Sequence, residues 1–300
     1  MKLFKTHLVF ILLFITPFLT FADKSQYPLS STGAIYPTHG EALILIPAFP
    51  TDRMLWNPQV LSHSNWPGPQ PTNTLDKYFD AIPVSLHGFE MAFPGDTGKA
   101  ITMDEYAASI KGLLDSAGIK KAIIGGESMG GYVALAFYKN YPDRTAGLIL
   151  SDTQAIADTP EMKARREKVA DYILKHGTSK LANDFPKDAL VEKTPESTRS
   201  YLQKMILRQP PTGLASALRG MSSRQDTSST LQNATIPILI ITGDQDKIIS
   251  SVQSEAMHKL AKNSRLVIIK NAGHLANLDQ PQAWNQAVID MFYSKNQVGA

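Results

Sequence analysis

The sequence predicts an α/β fold: a mostly parallel central sheet with helices on both faces. Three observations carry this. Short, mostly apolar runs recur at Ala42–Ile46, Ala122–Ile124, Ala146–Leu150, Ile236–Ile241 and Arg265–Ile269. The first, apolar throughout, suits a strand covered on both faces. Helix-like segments alternate with them, the pattern of parallel strands joined by crossovers. Between Ile123 and Gly131 the order is apolar run, glycine-rich bend, apolar helix, with Ser128 at the apex.

The first residues stand apart from the fold. Lys2 and Lys5 precede an apolar run from Leu8 to Phe21, and Ala22 offers a small residue for cleavage. This pattern predicts a signal peptide over 1–22, too short for an ordinary membrane span. The expectation is an exported protein, periplasmic or secreted, cleaved near Ala22 and with no stable membrane insertion afterwards. The chain of 300 residues contains no cysteine, so disulfides, thiol chemistry and lipid attachment at a lipobox cysteine are excluded. Its formal charge is only +3, with Lys2 and Lys5 in the leader. Without basic patches interleaved with aromatics, nucleic acid is not an expected partner.

After the leader, residues 23–152 form the first part of the core. Ala42–Ile46 runs into the turn-rich Pro47-Ala48-Phe49-Pro50. Residues 63–73 are rich in Pro, Ser and Asn and read as irregular loop. Phe79–Leu86 is the next strand candidate, weakened by Pro83, and 87–98 is loop. Thr102-Met103-Asp104-Glu105 has the form of a capping box, followed by Tyr106, Ile110, Leu113 and Leu114 at helical spacing up to Gly118. The Ser128 unit closes at Pro142, and Ala146–Leu150 follows. From 153 to 230 no strand pattern occurs. Thr159-Pro160-Glu161 and Thr194-Pro195-Glu196 each read as N-cap, first-turn proline and acidic first turn. Arg165, Arg166 and Lys168 read as a solvated face. An all-helical excursion from such a sheet predicts a cap over the strand ends. Residues 231–300 resume the alternation: strand Ile236–Ile241, helix Ser251–Lys262, strand Arg265–Ile269 and helix Pro281–Tyr293.

Ligands of an open parallel sheet bind beyond the carboxyl ends of its strands. The polar residues there are His87, Ser128, Asp152, Asp244, Asp246 and His274. Gly126-Glu127-Ser128-Met129-Gly130 is a G-x-S-x-G sequence, whose sharp turn pushes the serine hydroxyl clear of the backbone. A hydroxyl is a weak nucleophile at neutral pH and needs a base, for which His274 is the candidate ahead of His87. The imidazole needs an acid to fix its tautomer. Asp246 is the first choice, Asp152 one strand earlier is the alternative, and Asp244 suits turn capping. Backbone N–H groups of Met129 and Phe49 are the candidate oxyanion donors, since Pro47 and Pro50 have none. Trp56, His87, Met162 and Leu174 are candidate pocket residues, the last two from the cap. No metal-ligand spacing, phosphate loop or dinucleotide fingerprint occurs, so no cofactor is expected.

Three blocks, Gly126-Glu127-Ser128-Met129-Gly130-Gly131, Gly243-Asp244-Gln245-Asp246 and Gly273-His274, resemble the α/β-hydrolase superfamily. The segments Ala157-Asp158-Thr159-Pro160-Glu161 and Arg224-Gln225-Asp226-Thr227-Ser228 are similar to the branch of 3-oxoadipate enol-lactonases and small carboxylesterases. The resemblance implies a helical cap inserted after the sixth strand and a Ser128–His274–Asp246 triad, with Phe49 and Met129 as oxyanion donors. Many relatives carry His-Gly where this chain has Pro47-Ala48, and Ser85-Leu86-His87-Gly88-Phe89 replaces an Asp-x-x-Gly-x-Gly loop. The expected activity is hydrolysis of small carboxylic esters through an acyl-enzyme. The alternatives are lactone hydrolysis on the same atoms, or a non-catalytic protein binding a small ligand on this fold. The expected partner is a small-molecule ester or lactone; the oligomeric state is not legible.

Overall fold

Strand order reverses between two neighbouring strands at the middle of the sheet, and that reversal positions the candidate site. The structure, a computed structural model, describes residues 40–60, 66–91 and 96–293. The expected signal peptide, 1–22, lies outside them. The described residues belong to the unit Pro37–Ala300. Among them six strands form one sheet: β1 (Ala42–Ile46), β2 (Asp80–Pro83), β3 (Ala122–Glu127), β4 (Thr145–Ser151), β5 (Ile238–Gly243) and β6 (Ser264–Ile269). All pairs are parallel, in the order β2-β1-β3-β4-β5-β6. The chain steps from β1 to β2 on one side, then crosses to β3 on the other. The crevice beyond β1 and β3 is therefore the topological switch point.

The sequence of each strand explains its place. β1, β3 and β5 are buried along their whole length. Leu43, Leu45, Ile123, Ile149, Leu239 and Ile241 share one core cluster, a period of two that puts alternate residues on one face. Each fully buried Leu or Ile is worth about 1.5–3 kcal/mol relative to exposure, so this apolar centre can hold a fold that has no disulfide. Pro83, which weakened the strand reading, ends the edge strand β2 opposite Leu45, where the missing N–H is tolerated.

Helices α1 (Met103–Ser116), α2 (Met129–Asn140), α8 (Ser251–Leu260), α9 (Ala276–Asp279) and α10 (Pro281–Phe292) flank the sheet. The capping box at α1 is complete: Glu105 N–H donates to Thr102 Oγ1 at 3.2 Å, and Thr102 N–H donates to Glu105 Oε2 at 2.7 Å.

Five helices separate β4 from β5: α3 (Pro160–His176), α4 (Ser179–Ala189), α5 (Glu196–Leu207), α6 (Pro211–Ser223) and α7 (Ser228–Gln232). α3 packs on α6 and α4 on α5. Among the described residues, which begin at 40, the insertion follows β4, with β1, β2 and β3 before it. Two local expectations are corrected. Thr159 caps α3 through Met162 N–H, but Thr194 caps nothing: its hydroxyl turns to Val191 O and the Asp279 carboxylate. Arg166, expected on a solvated face, pairs with the buried Asp158 at 2.5 Å, beside Arg224 at 2.7 Å from the same carboxylate.

The insertion touches loops that follow the strands. Gly213 of α6 sits against the backbone of Gly88 after β2. Leu275 N–H, after β6, donates to Ala189 O at 3.1 Å. Arg208 and Gln209, at the end of α5, reach Asp52 after β1.

Candidate active site

Ser128 links β3 directly to α2, and that junction strains its backbone to φ 54, ψ −113. A non-glycine residue at positive φ is costly and persists only where its surroundings enforce it. Here the enforcement is steric and hydrogen-bonded. A Cβ on Gly126 would lie 2.1 Å from the Gly130 carbonyl carbon, so strand and helix can cross this closely only with glycine. Ser128 N–H donates to Ser151 O at 2.8 Å, while Ser128 O accepts from Thr153 Oγ1 at 2.7 Å.

His274 reaches this serine from a loop 146 residues away: Nε2 and Ser128 Oγ are 2.8 Å apart. Its Nδ1 lies 2.9 Å from Asp246 Oδ2. Asp246 Oδ1 accepts from the N–H groups of Ile248 and Ile249 at 2.7 and 3.0 Å, leaving Oδ2 for the imidazole. A carboxylate oxygen that accepts from Nδ1–H leaves Nε2 as the acceptor for the serine hydroxyl. The His274 and Asp246 side chains are 1% and 0% exposed. These contacts are shielded from bulk water, which would otherwise compete for both hydrogen bonds.

The loops bearing these groups are fastened to each other. Gly243 packs so tightly on the histidine loop that a Cβ would come 2.2 Å from Gly273 O. Asp244, expected as a turn residue, accepts from Ala272 N–H at 3.4 Å. Gly273 N–H donates to Asp279 Oδ2 at 2.8 Å, and the same oxygen accepts from Val191 N–H of the helical insertion at 3.2 Å.

Asp152, the alternative acid, points elsewhere. Its Oδ1 accepts from Gly243 N–H at 2.8 Å and its Oδ2 from Ser151 Oγ at 3.1 Å. Trp284 Nε1–H in turn donates to Ser151 Oγ at 3.0 Å. Asp152 therefore holds the start of the loop that carries Asp246. Beside it lies Glu127, fully buried at the end of β3 and unassigned by the sequence pattern. Burial pushes the Glu127 carboxyl well above its ordinary value; Ser151 and Asp152 oppose this in part, and the Asp246 charge adds to it. Burial also raises Asp152, reinforced by the charges of Glu127 and Asp246 and opposed by His274 and the Gly243 N–H. Two buried acids this close cannot both ionise cheaply.

Among the expected oxyanion donors, Met129 is the buried first residue of α2, whose N–H has no intrahelical acceptor. Phe49 is half-buried on the loop after β1, beside a turn closed by Thr51 N–H and Oγ1 on Ala48 O, both at 2.8 Å. The pocket candidates fare differently. Trp56 is a core residue: fully buried, it packs against Trp284 in a tilted contact, 5.1 Å between ring centroids. His87 is exposed on the loop after β2. Met162 and Leu174 are 38% and 37% exposed on α3. Glu127, Asp52 and Asp279 escaped the sequence reading. A charged residue ending an otherwise apolar strand was the one available signal, and it pointed to Glu127.

A family model described as the alpha/beta hydrolase fold matches residues 41–281. The 3-oxoadipate enol-lactonase 2 of Acinetobacter baylyi is 26% identical over 259 residues, covering 84% of this chain and 90% of the relative. A thermophilic esterase from Thermogutta terrifontis, solved with malate bound, is 34% identical with a TM-score of 0.76, covering 85% of this chain and 90% of its own. The enol-lactonase from Burkholderia xenovorans LB400 shares the fold at TM-score 0.72 and 21% identity, over 84% of this chain and 91% of its own.

Proposed function

The chain belongs to the α/β-hydrolase fold family, and from that premise we propose that it is a serine hydrolase cleaving small carboxylic esters through an acyl-enzyme. The observation that carries this reading is the relay of 2.8 Å from Ser128 Oγ to His274 Nε2 and 2.9 Å from His274 Nδ1 to Asp246 Oδ2.

Ser128 Oγ attacks the ester carbonyl carbon while its proton passes to His274 Nε2. The N–H groups of Met129 and Phe49 receive the oxyanion. Collapse of the tetrahedral adduct breaks the bond to the alkoxy oxygen, which leaves as the alcohol with the proton from His274. A water then gives a proton to His274 and attacks the acyl carbon. The second collapse releases the acid and returns the proton to Ser128. Asp246 keeps the imidazole oriented and stabilises its cationic form throughout.

Ser128→Ala tests the reading: kcat on short-chain esters should fall about 10^4-fold or more. A fluorophosphonate should add one covalent group to the parent protein and none to the variant. Turnover by Ser128→Ala near the parent level ends the proposal.

Lactone hydrolysis is the second reading, supported by the relative named as an enol-lactonase. The same atoms act, but the leaving alcohol stays tethered to the acyl group. Comparing kcat/KM for linear esters with that for lactones of matched carbon count separates the two. We also propose export, on the pattern of Lys2, Lys5 and Leu8–Phe21; a mature amino terminus at Asp23 would support it, and an intact Met1 in the purified native protein would oppose it.

A further inference from the structure

The loop after β1 carries one of the two expected oxyanion donors, and its charged anchor belongs to a contact with the helical insertion. Asp52, three residues beyond Phe49, is wholly buried. Its carboxylate does two things at once. Oδ1 accepts from its own loop, at Met54 N–H, at 2.9 Å. From the insertion, Arg208 Nη2 lies 2.7 Å from Oδ1 and 2.5 Å from Oδ2, and Arg208 Nε donates to Oδ2 at 3.0 Å. Gln209 Nε2 donates to Oδ2 at 2.5 Å. These partners are 156 and 157 residues away in sequence.

The attachment does not stop at Asp52. Gln209 Oε1 accepts from Glu90 N–H at 2.9 Å, and Glu90 pairs with Arg53 at 3.0 Å. Tyr201 of α5 donates to Met54 O at 2.8 Å and accepts from Asn57 Nδ2 at 2.7 Å. The end of α5 thus grips the backbone on the carboxyl side of Phe49. On its amino side, Thr51 closes the turn onto Ala48.

An oxyanion donor works only if held within a fraction of an ångström of the developing charge. We infer that Asp52 and Arg208 form a clamp through which the helical insertion sets the position of the Phe49 N–H, making both positioning residues for the ester-cleaving step. The inference rests on the serine-hydrolase reading above. On this view the oxyanion hole is complete only when α5 is docked, so the insertion governs turnover as well as access. A tether serving attachment alone would not need to share one buried carboxylate with the catalytic loop's own backbone.

The test is Arg208→Gln in the full-length protein, read on three quantities. kcat for a short-chain ester should fall about 10-fold or more, short of the roughly 10^2–10^3-fold cost of deleting an oxyanion donor outright. KM should move less than about 3-fold, because the ground-state carbonyl makes little demand on the hole. Inhibition by a trifluoromethyl ketone, which forms a tetrahedral adduct on the serine, should weaken by the same factor as kcat/KM. Arg208→Lys, which keeps the charge and loses the fork, should recover part of the loss. If Arg208→Gln does not fold, Arg208→Lys supplies the same three readings against the parent. A lower melting temperature with kcat and ketone affinity within about twofold of the parent overturns the clamp. Ser128→Ala separates the two ideas. If it abolishes turnover while the Arg208 variants keep theirs, only the clamp fails; if it retains turnover, the hydrolase reading fails first.

Discussion

Gly130 stands against the end of β1 so closely that a Cβ on it would lie 2.2 Å from Ile46 O and 2.9 Å from Pro47 O. Both obstacles are backbone, which cannot swing aside as a side chain would. Gly130→Ala should therefore push the start of α2 away from β1, at a cost at or above the roughly 1–3 kcal/mol typical of overpacking. A urea unfolding midpoint at or above the parent value would contradict this. Activity should fall further than stability, since Met129 and Ser128 move with the helix start.

The two candidate acids make separable contacts, and substitution should rank them. Asp246→Asn leaves the imidazole facing an amide and should lower kcat by about 10^4-fold. Asp152→Asn can still accept from Gly243 N–H and should lower kcat less than about 10-fold. Steady-state kinetics of both variants on one ester decides. A larger loss from Asp152→Asn would reassign the acid.

The Glu127–Asp152 pair should write itself into the pH dependence of stability. Both carboxyls are raised above their ordinary values, with burial the largest cause. The unfolded chain loses these protons at ordinary carboxylate pH, whereas the native state still holds them. Their contribution is thus fully present below the unfolded value, and it is lost as pH rises through the raised native value. The melting temperature should decline from about pH 5 as pH rises through about 8, the raised Glu127 value, and Glu127→Gln should flatten that decline. An equal slope in parent and variant would remove Glu127 as its source.

Asp279 ties the histidine loop to the insertion. Its oxygens accept from Gly273 N–H at 2.8 Å, Val191 N–H at 3.2 Å and Thr194 Oγ1 at 2.5 Å. Asp279→Ala strands the Gly273 and Val191 N–H donors, each costing about 1–3 kcal/mol if left unpaired, while the Thr194 hydroxyl keeps Val191 O as its acceptor. It should lower both the melting temperature and the rate of fluorophosphonate labelling at Ser128, as His274 loses its fixed approach. An unchanged labelling rate in a folded variant would show that the histidine loop holds itself.

Much of the architecture was legible because its causes are local. Unbroken apolar runs marked β1, β3 and β5, and the Thr102–Glu105 pairing marked the start of α1 within one helical turn. The Ser128 bend announced itself through glycines on either side, since only close crossing of strand and helix demands them there. Placing His274 and Asp246 beyond strands needed only the rule that ligands gather at carboxyl ends.

Residue sequence by itself determined the alternation of strands and helices, the bend at Ser128, the all-helical stretch between β4 and β5, and the short set of polar groups beyond the strands. Tertiary structure alone decided which carboxylate meets the imidazole, that Trp56 buries itself against Trp284, and that Asp52 is shared between the loop after β1 and α5. Periodicity and capping are set by neighbours within a few residues. Which side chains meet is set by how distant loops pack, and hydrogen bonds spanning 146 or 156 residues leave no mark on local pattern.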